Sequence, residues 1–136
     1  MASAQQRLSW VIQIAEHYEN VEVSDIEVLS QKKMPTYKTL CALKLRYNFT
    51  QKPYLIIGAD NLSSLPSWYQ YDALSKEVNF VIAKRNDLAI ATKYKVLDVN
   101  VNICSSDLRT SMQRNMVPHY LENVIVKTYK EYNEKS

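Results

Sequence analysis

The side chains in this chain that could do chemistry fall in a few short clusters. Gly58-Ala59-Asp60-Asn61 closes the apolar run Tyr54-Leu55-Ile56-Ile57. A glycine there allows close approach of a ligand, Asp60 can accept hydrogen bonds from ribose hydroxyls, and Asn61 can cap a following helix. Ser67-Trp68-Tyr69 sets two aromatics side by side, a flat face for a heteroaromatic ring. Lys84-Arg85 follows the run Asn79-Phe80-Val81-Ile82-Ala83, where basic side chains can meet phosphates. Ser105-Ser106-Asp107-Leu108-Arg109 puts two hydroxyls at a helix start, an anion site to which Arg109 adds a fork of donors. Taken alone, each cluster reads more readily as an ordinary turn, cap, packing pair or solvated strand end.

The elements that must position these clusters follow from periodicity. Residues from about Ala4 to Tyr18 read as a helix with Leu8, Val11, Ala15 and Tyr18 on one face. Val21 to Leu29 alternates as a strand with an irregularity near Ser24-Asp25. Pro35-Thr36 starts a helix that carries Leu40, Leu43 and Tyr47. Tyr54 to Ile57 is apolar throughout, as in a strand buried on both faces. Asn61 to Ser75 is mostly helical with a break at Pro66. Asn79 to Ala83 is a second buried strand, and Val96 to Ile103 a more exposed one. Ser105 opens a short helix. Pro118 opens the last one, with Leu121, Ile125 and Tyr129 on its face. Strands alternating with helices imply an α/β fold with a parallel sheet. Ligands then sit after the C-terminal ends of the strands, where the clusters fall.

Composition sets the outer limits. With 46% hydrophobic and 23% charged residues in 136, the chain has the makeup of one folded domain over residues 1–136. Its 17 basic and 14 acidic side chains are interleaved, unlike the dense patch of a nucleic-acid binder. No apolar run nears the roughly 20 residues that cross a bilayer, and no signal peptide opens the chain. Cys41 and Cys104 lack metal spacing, so a reduced, cytoplasmic protein is expected, without nucleic-acid or membrane partners. His17 and His119 have no metal-like companion. Gly58 is the single glycine, few for a nucleotide-binding α/β domain.

The order and spacing of the clusters resemble a known family. Ile57-Gly58-Ala59-Asp60-Asn61-Leu62, Ser67-Trp68-Tyr69, Phe80-Val81-Ile82-Ala83-Lys84-Arg85 and Ile103-Cys104-Ser105-Ser106-Asp107-Leu108-Arg109 are similar to segments of bacterial nicotinate-nucleotide adenylyltransferases. Val23-Ser24-Asp25-Ile26-Glu27 and Met116-Val117-Pro118 add to the likeness. The resemblance implies a Rossmann-like nucleotidyltransferase sheet flanked by helices. It implies adenylyl transfer from ATP, with Mg²⁺, to nicotinate mononucleotide, a step of NAD biosynthesis. By the same likeness Gly58, Asp60, Arg85, Ser105, Ser106 and Arg109 serve ATP, and Thr36, Tyr37, Trp68 and Tyr69 hold the nicotinate.

The chain departs from the family in two places. The family's Ser-Ser-Thr appears here as Cys104-Ser105-Ser106, with Leu108-Arg109 in place of Ile-Arg. The family's opening Gly-Gly-x-Phe-Asp-Pro-x-His-x-Gly-His segment has no match, so the resemblance is to a family member without its first strands and phosphate loop. The catalytic residues are therefore unassigned, and turnover is expected to be impaired. The family's strand order, 3-2-1-4-5, would leave a gap of roughly 15 Å where two strands are absent, exposing sheet edges and apolar faces open to self-association. The other readings are a binding module without catalysis, or an adenylyltransferase with another acceptor. Trp68-Tyr69 disfavours a pantetheine phosphate, which has no ring to stack.

Overall fold

The computed structural model describes residues 2–84, 93–99, 118–121, 124–125 and 127–128. The chain divides into two compact units, one of Met1–Gln31 with Ile103–Ser136, the other of Lys32–Asn102.

The first unit begins with α1 (Ala4–Ala15). Ser3 caps it. The Gln6 backbone N–H donates to Ser3 Oγ at 3.1 Å, and the Ser3 N–H donates to Gln6 Oε1 at 2.8 Å, so two orphan donors are satisfied reciprocally. The helix stops short of the expected Tyr18, and its buried face is also different. Trp10, with Ile14 one turn on, packs with Ala2, Leu121 and Ile125, while Val11 and Tyr18 face solvent. The larger apolar side chain at Trp10 decides the face that is buried. Leu121 and Ile125 are buried as the sequence pattern requires. Leu121 closes a 3-10 turn, His119–Leu121, after Pro118. The His17 and Tyr120 rings lie 4.3 Å apart.

The strand expected over Val21 to Leu29 does not form. Residues 21–25 pair with no strand among the described residues, and Ile26–Leu29 is a short helix, α2. The Ile26 N–H donates to Ser24 Oγ at 3.4 Å, and the Leu29 N–H donates to the Asp25 carbonyl at 2.9 Å. Capture of the Ile26 N–H by the Ser24 side chain, with the Asp25 carbonyl taking the first helical bond, starts a helical turn where alternation alone suggested extended chain.

The second unit holds the sheet. Here α3 (Thr36–Arg46) starts after Pro35 as expected, and α4 (Tyr71–Glu77) crosses between β1 (Tyr54–Gly58) and β2 (Asn79–Lys84). β3 is Lys95–Asp98. The three strands are parallel in the order β1-β2-β3, with Leu55 opposite Phe80 and Ile57 opposite Ile82. Those four side chains share a core with Leu40 of α3, Leu74 of α4, Leu65 and Val78. Lys44 of α3 and Glu77 of α4 form an ion pair at 3.2 Å.

Only one face of β1 is covered. Tyr54 and Ile56 point the other way and are 66% and 62% exposed, against the expectation of a strand buried on both faces. Among the described residues β1 also pairs on one side only, with β2. The region expected to be helical from Asn61 to Ser75 is instead two 3-10 turns, Ala59–Asn61 and Leu65–Ser67, followed by α4. Pro66 sits in the first turn of the second, where its missing N–H costs nothing. The helix expected at Ser105 lies outside the described residues.

The hydroxyls of Tyr71 and Tyr94 share a hydrogen bond that ties the start of α4 to the approach of β3. That bond, then burial and the charge of Tyr94, push the Tyr71 phenol above its ordinary value, with Lys93 pulling the other way. A folded-state value raised above the unfolded one gives stability that is full below the ordinary phenol range and is lost as pH rises through the raised value. Tyr71→Phe is expected to cost about 1 kcal/mol at neutral pH. It should also flatten the alkaline loss of stability that sets in above the ordinary phenol value near pH 10. Denaturant titrations across that range check it, and an alkaline decline identical in both proteins would contradict it.

Candidate functional site

The C-terminal end of β1 delivers the chain into the segment from Gly58 to Gln70, and the aromatic candidates lie along it. Leu65 is almost fully buried and anchors the second 3-10 turn, Leu65–Ser67. Two hydrogen bonds to its leading residue brace the turn. Ser67 Oγ donates to the Ser64 carbonyl at 2.6 Å, and Trp68 Nε1 reaches Ser64 Oγ at 3.4 Å. Trp68 is half-buried against the core, with one part of its indole held and the rest accessible.

Tyr69 follows, 50% exposed. Its ring lies 6.4 Å from that of Tyr37, tilted by 52°. The first turn of α3 therefore meets the loop that precedes α4 through the Tyr37 and Tyr69 rings, and Trp68 precedes Tyr69 in that loop with its indole against the core. Lys38 Nζ stands 5.4 Å from the Tyr69 ring centroid, a cation–π contact that places a positive charge beside that ring. Sequence reasoning missed Lys38. The signal was its place next to Tyr37 in the first turn of a helix whose start was already recognised.

Tyr37 also faces Cys41 one turn on, the i, i+4 neighbour on α3. The charge of the Cys41 thiolate, then the hydrogen bond between the two side chains, push the Tyr37 phenol above its ordinary value. Glu77, burial and Tyr69 act in the same direction. Tyr37 thus stays a neutral hydroxyl throughout the physiological range, able to donate. Thr36 is half-buried and lines a small apolar cavity of about 190 Å³ with Leu40, Leu43 and Leu55.

Gly58 and Asp60 sit at the same sheet end. Asp60 is exposed within the first 3-10 turn, Ala59–Asn61, and Asn61 lies inside that turn and does not cap a helix as expected. Gly58 has φ −68°, a conformation open to any residue. A Cβ there would meet only Asn61 Nδ2, at 3.7 Å. The turn itself does not need a glycine. Lys84, expected to be a solvated or phosphate-facing cation, is largely covered and pairs with Asp98 at 3.3 Å across β2 and β3. Arg85, Ser105, Ser106 and Arg109 lie outside the described residues.

Gln70 completes the loop with φ 55°, in the left-handed region that a side chain disfavours. It turns the chain from Tyr69 into α4, whose Leu74 is fully buried. Backbone strain next to two candidate binding residues is a common mark of a site held in a set geometry.

A family model described as cytidylyltransferase-like matches residues 1–133. The chain belongs to this nucleotidyltransferase family, and its three parallel strands with flanking helices fit the Rossmann-like α/β fold. Within the family its relatives are nicotinate-nucleotide adenylyltransferases. It is 38% identical over 130 residues to a protein of Sulfurimonas denitrificans named "Probable nicotinate-nucleotide adenylyltransferase", covering 96% of this chain and 70% of that one. A protein of the same name from Campylobacter fetus is 34% identical, over 98% of this chain and 74% of its own. Another, from Nitratiruptor, is 35% identical, over 95% and 72%. No helix among the described residues is long and apolar enough to cross a membrane.

Two substitutions test the loop's construction. Gly58→Ala is expected to leave stability unchanged or raise it by about 0.4–1 kcal/mol, because the backbone conformation is already compatible with alanine. Gln70→Gly is expected to stabilise by up to roughly 1 kcal/mol by releasing the left-handed strain, less the entropy glycine gains when unfolded. Denaturant midpoints check both, and a loss above about 1 kcal/mol in either would contradict the geometry.

Proposed function

We propose that the aromatic wall of Tyr37, Trp68 and Tyr69 receives the pyridine ring of nicotinate mononucleotide, and that the chain serves adenylyl transfer from ATP to that acceptor. The observation that carries this reading is the joining of two segments, far apart in sequence, into one half-exposed aromatic surface at the strand end where ligands of parallel sheets bind. The names of the relatives give the same acceptor.

In this reading Trp68 stacks on the ring and Tyr69 flanks it. The Tyr37 hydroxyl, kept neutral, and the backbone N–H groups at the start of α3 near Thr36 face the ring carboxylate, and Lys38 adds positive charge. Asp60 takes ribose hydroxyls of the adenosine, and Gly58 lets that ribose lie against the backbone. Arg85, Ser105, Ser106 and Arg109 hold the ATP phosphates. The acceptor phosphate attacks the α-phosphorus of ATP in line and pyrophosphate leaves, so the protein's work is positioning and charge neutralisation.

Mg²⁺ belongs to this chemistry as the companion of the triphosphate, which supplies most of its ligands. Among the described residues no group of three or more His, Cys, Asp or Glu could hold a metal. This reading takes the protein to be a soluble cytoplasmic one.

Calorimetry with nicotinate mononucleotide tests the wall. Trp68→Ala is expected to weaken binding by roughly 1–3 kcal/mol, the usual worth of a stacked base. Affinity unchanged by Trp68→Ala would overturn the assignment of the ring site.

A further inference from the structure

A second cleft opens at the opposite end of the sheet and has no part in the reaction above. It encloses about 670 Å³ beside the N-terminal ends of all three strands, within the range of small-molecule sites. Three lysines line it: Lys52 before β1, Lys93 before β3 and Lys95 at the start of β3. All three are exposed, and none is paired with a carboxylate among the described residues. Among the described lining residues Asp72 of α4 is the one acidic side chain, so these residues together carry a surplus of positive charge.

The lysines are positioned by their neighbours. Lys93 Nζ lies 5.4 Å from the Tyr94 ring centroid, and Lys95 Nζ lies 5.9 Å from that of Tyr54. Each contact favours rotamers that keep the ammonium at the rim, which lowers the entropy lost when an anion arrives. The hydroxyl bond between Tyr71 and Tyr94 fixes the wall between α4 and β3. Like charges gathered around a cavity repel one another, and an anionic ligand relieves that repulsion. Lysine ammoniums bind phosphate as point charges, without the planar geometry that carboxylate recognition by arginine uses.

We propose that this cleft is a second binding site, for a small phosphorylated molecule whose phosphate groups are held by Lys52, Lys93 and Lys95. Its lysines stand at the N-terminal strand ends, and the proposal does not rest on the assignment of the ring site.

Calorimetric titration of the whole chain with inorganic pyrophosphate at physiological salt tests the proposal. The expected result is saturable binding that weakens roughly tenfold or more in the variant Lys52→Gln/Lys93→Gln/Lys95→Gln. Asp72→Asn is expected to tighten binding, an opposite effect that damage to the fold would not produce. Thermal melts should show both variants folded, since the altered side chains are on the surface. The proposal is overturned if the triple variant binds pyrophosphate as tightly as the unaltered chain, which would place the anion at the other strand end. Absence of saturable binding by the unaltered chain would overturn it equally.

Discussion

Two leucines stripped of water hold the candidate site in place. Leu65 and Leu74 bracket the loop that carries Trp68 and Tyr69, and both sink into the core formed on one face of β1 and β2. Burying a leucine side chain is worth about 1.5–3 kcal/mol, which offsets part of the entropy lost in ordering the short loop between them. The strained backbone at Gln70 is tolerated because both ends of the loop are fixed. Without those anchors the indole and phenol would sample many positions, and stacking on a ring would cost the ordering of the loop.

The parallel pairing of β1 with β2 then decides the layout of the second unit. A parallel pair needs a crossover, so the segment leaving β1 starts at the C-terminal strand ends and α4, packed on one face of the sheet, carries the chain back to the N-terminal ends where β2 begins. The aromatic wall lies at the C-terminal end and the lysine-rich cleft at the N-terminal end. α3 carries Tyr37 in its first turn and Lys44 near its last, bound to Glu77. The uncovered side of β1, with Ile56 in water, is a cost the second unit carries in the described residues, and apolar strand faces of this kind are sites for further packing.

Much of this was legible in the sequence, for identifiable reasons. Tyr54 to Ile57 and, after Asn79, Phe80 to Ala83 are short apolar runs bounded by Pro53, Gly58 and polar residues, so their strands were plain. Pro35-Thr36 marked the start of α3. The order of Gly58-Ala59-Asp60-Asn61, Ser67-Trp68-Tyr69 and Ile82-Ala83-Lys84-Arg85 carried the family. Other features were hidden because long-range or local polar contacts decide them. Ser24 and Asp25 capture backbone N–H groups and turn an alternating segment into α2. Nothing in the spacing of Tyr37 and Tyr69 shows that their rings meet, or that Lys84 is engaged by Asp98. Trp10 outweighed the regular stripe of Leu8, Val11 and Ala15 because the bulk of a side chain counts for more than its period.

The account rests on the indole of Trp68 lying where a pyridine ring can stack. The sequence has two tryptophans, Trp10 in the first unit's core and Trp68 in the loop. In a Trp10→Phe protein the fluorescence comes from Trp68 alone, and titration with nicotinate mononucleotide then reports on that ring directly. Saturable quenching that follows the calorimetric affinity is the result expected. Emission unchanged at saturating nucleotide would contradict the account.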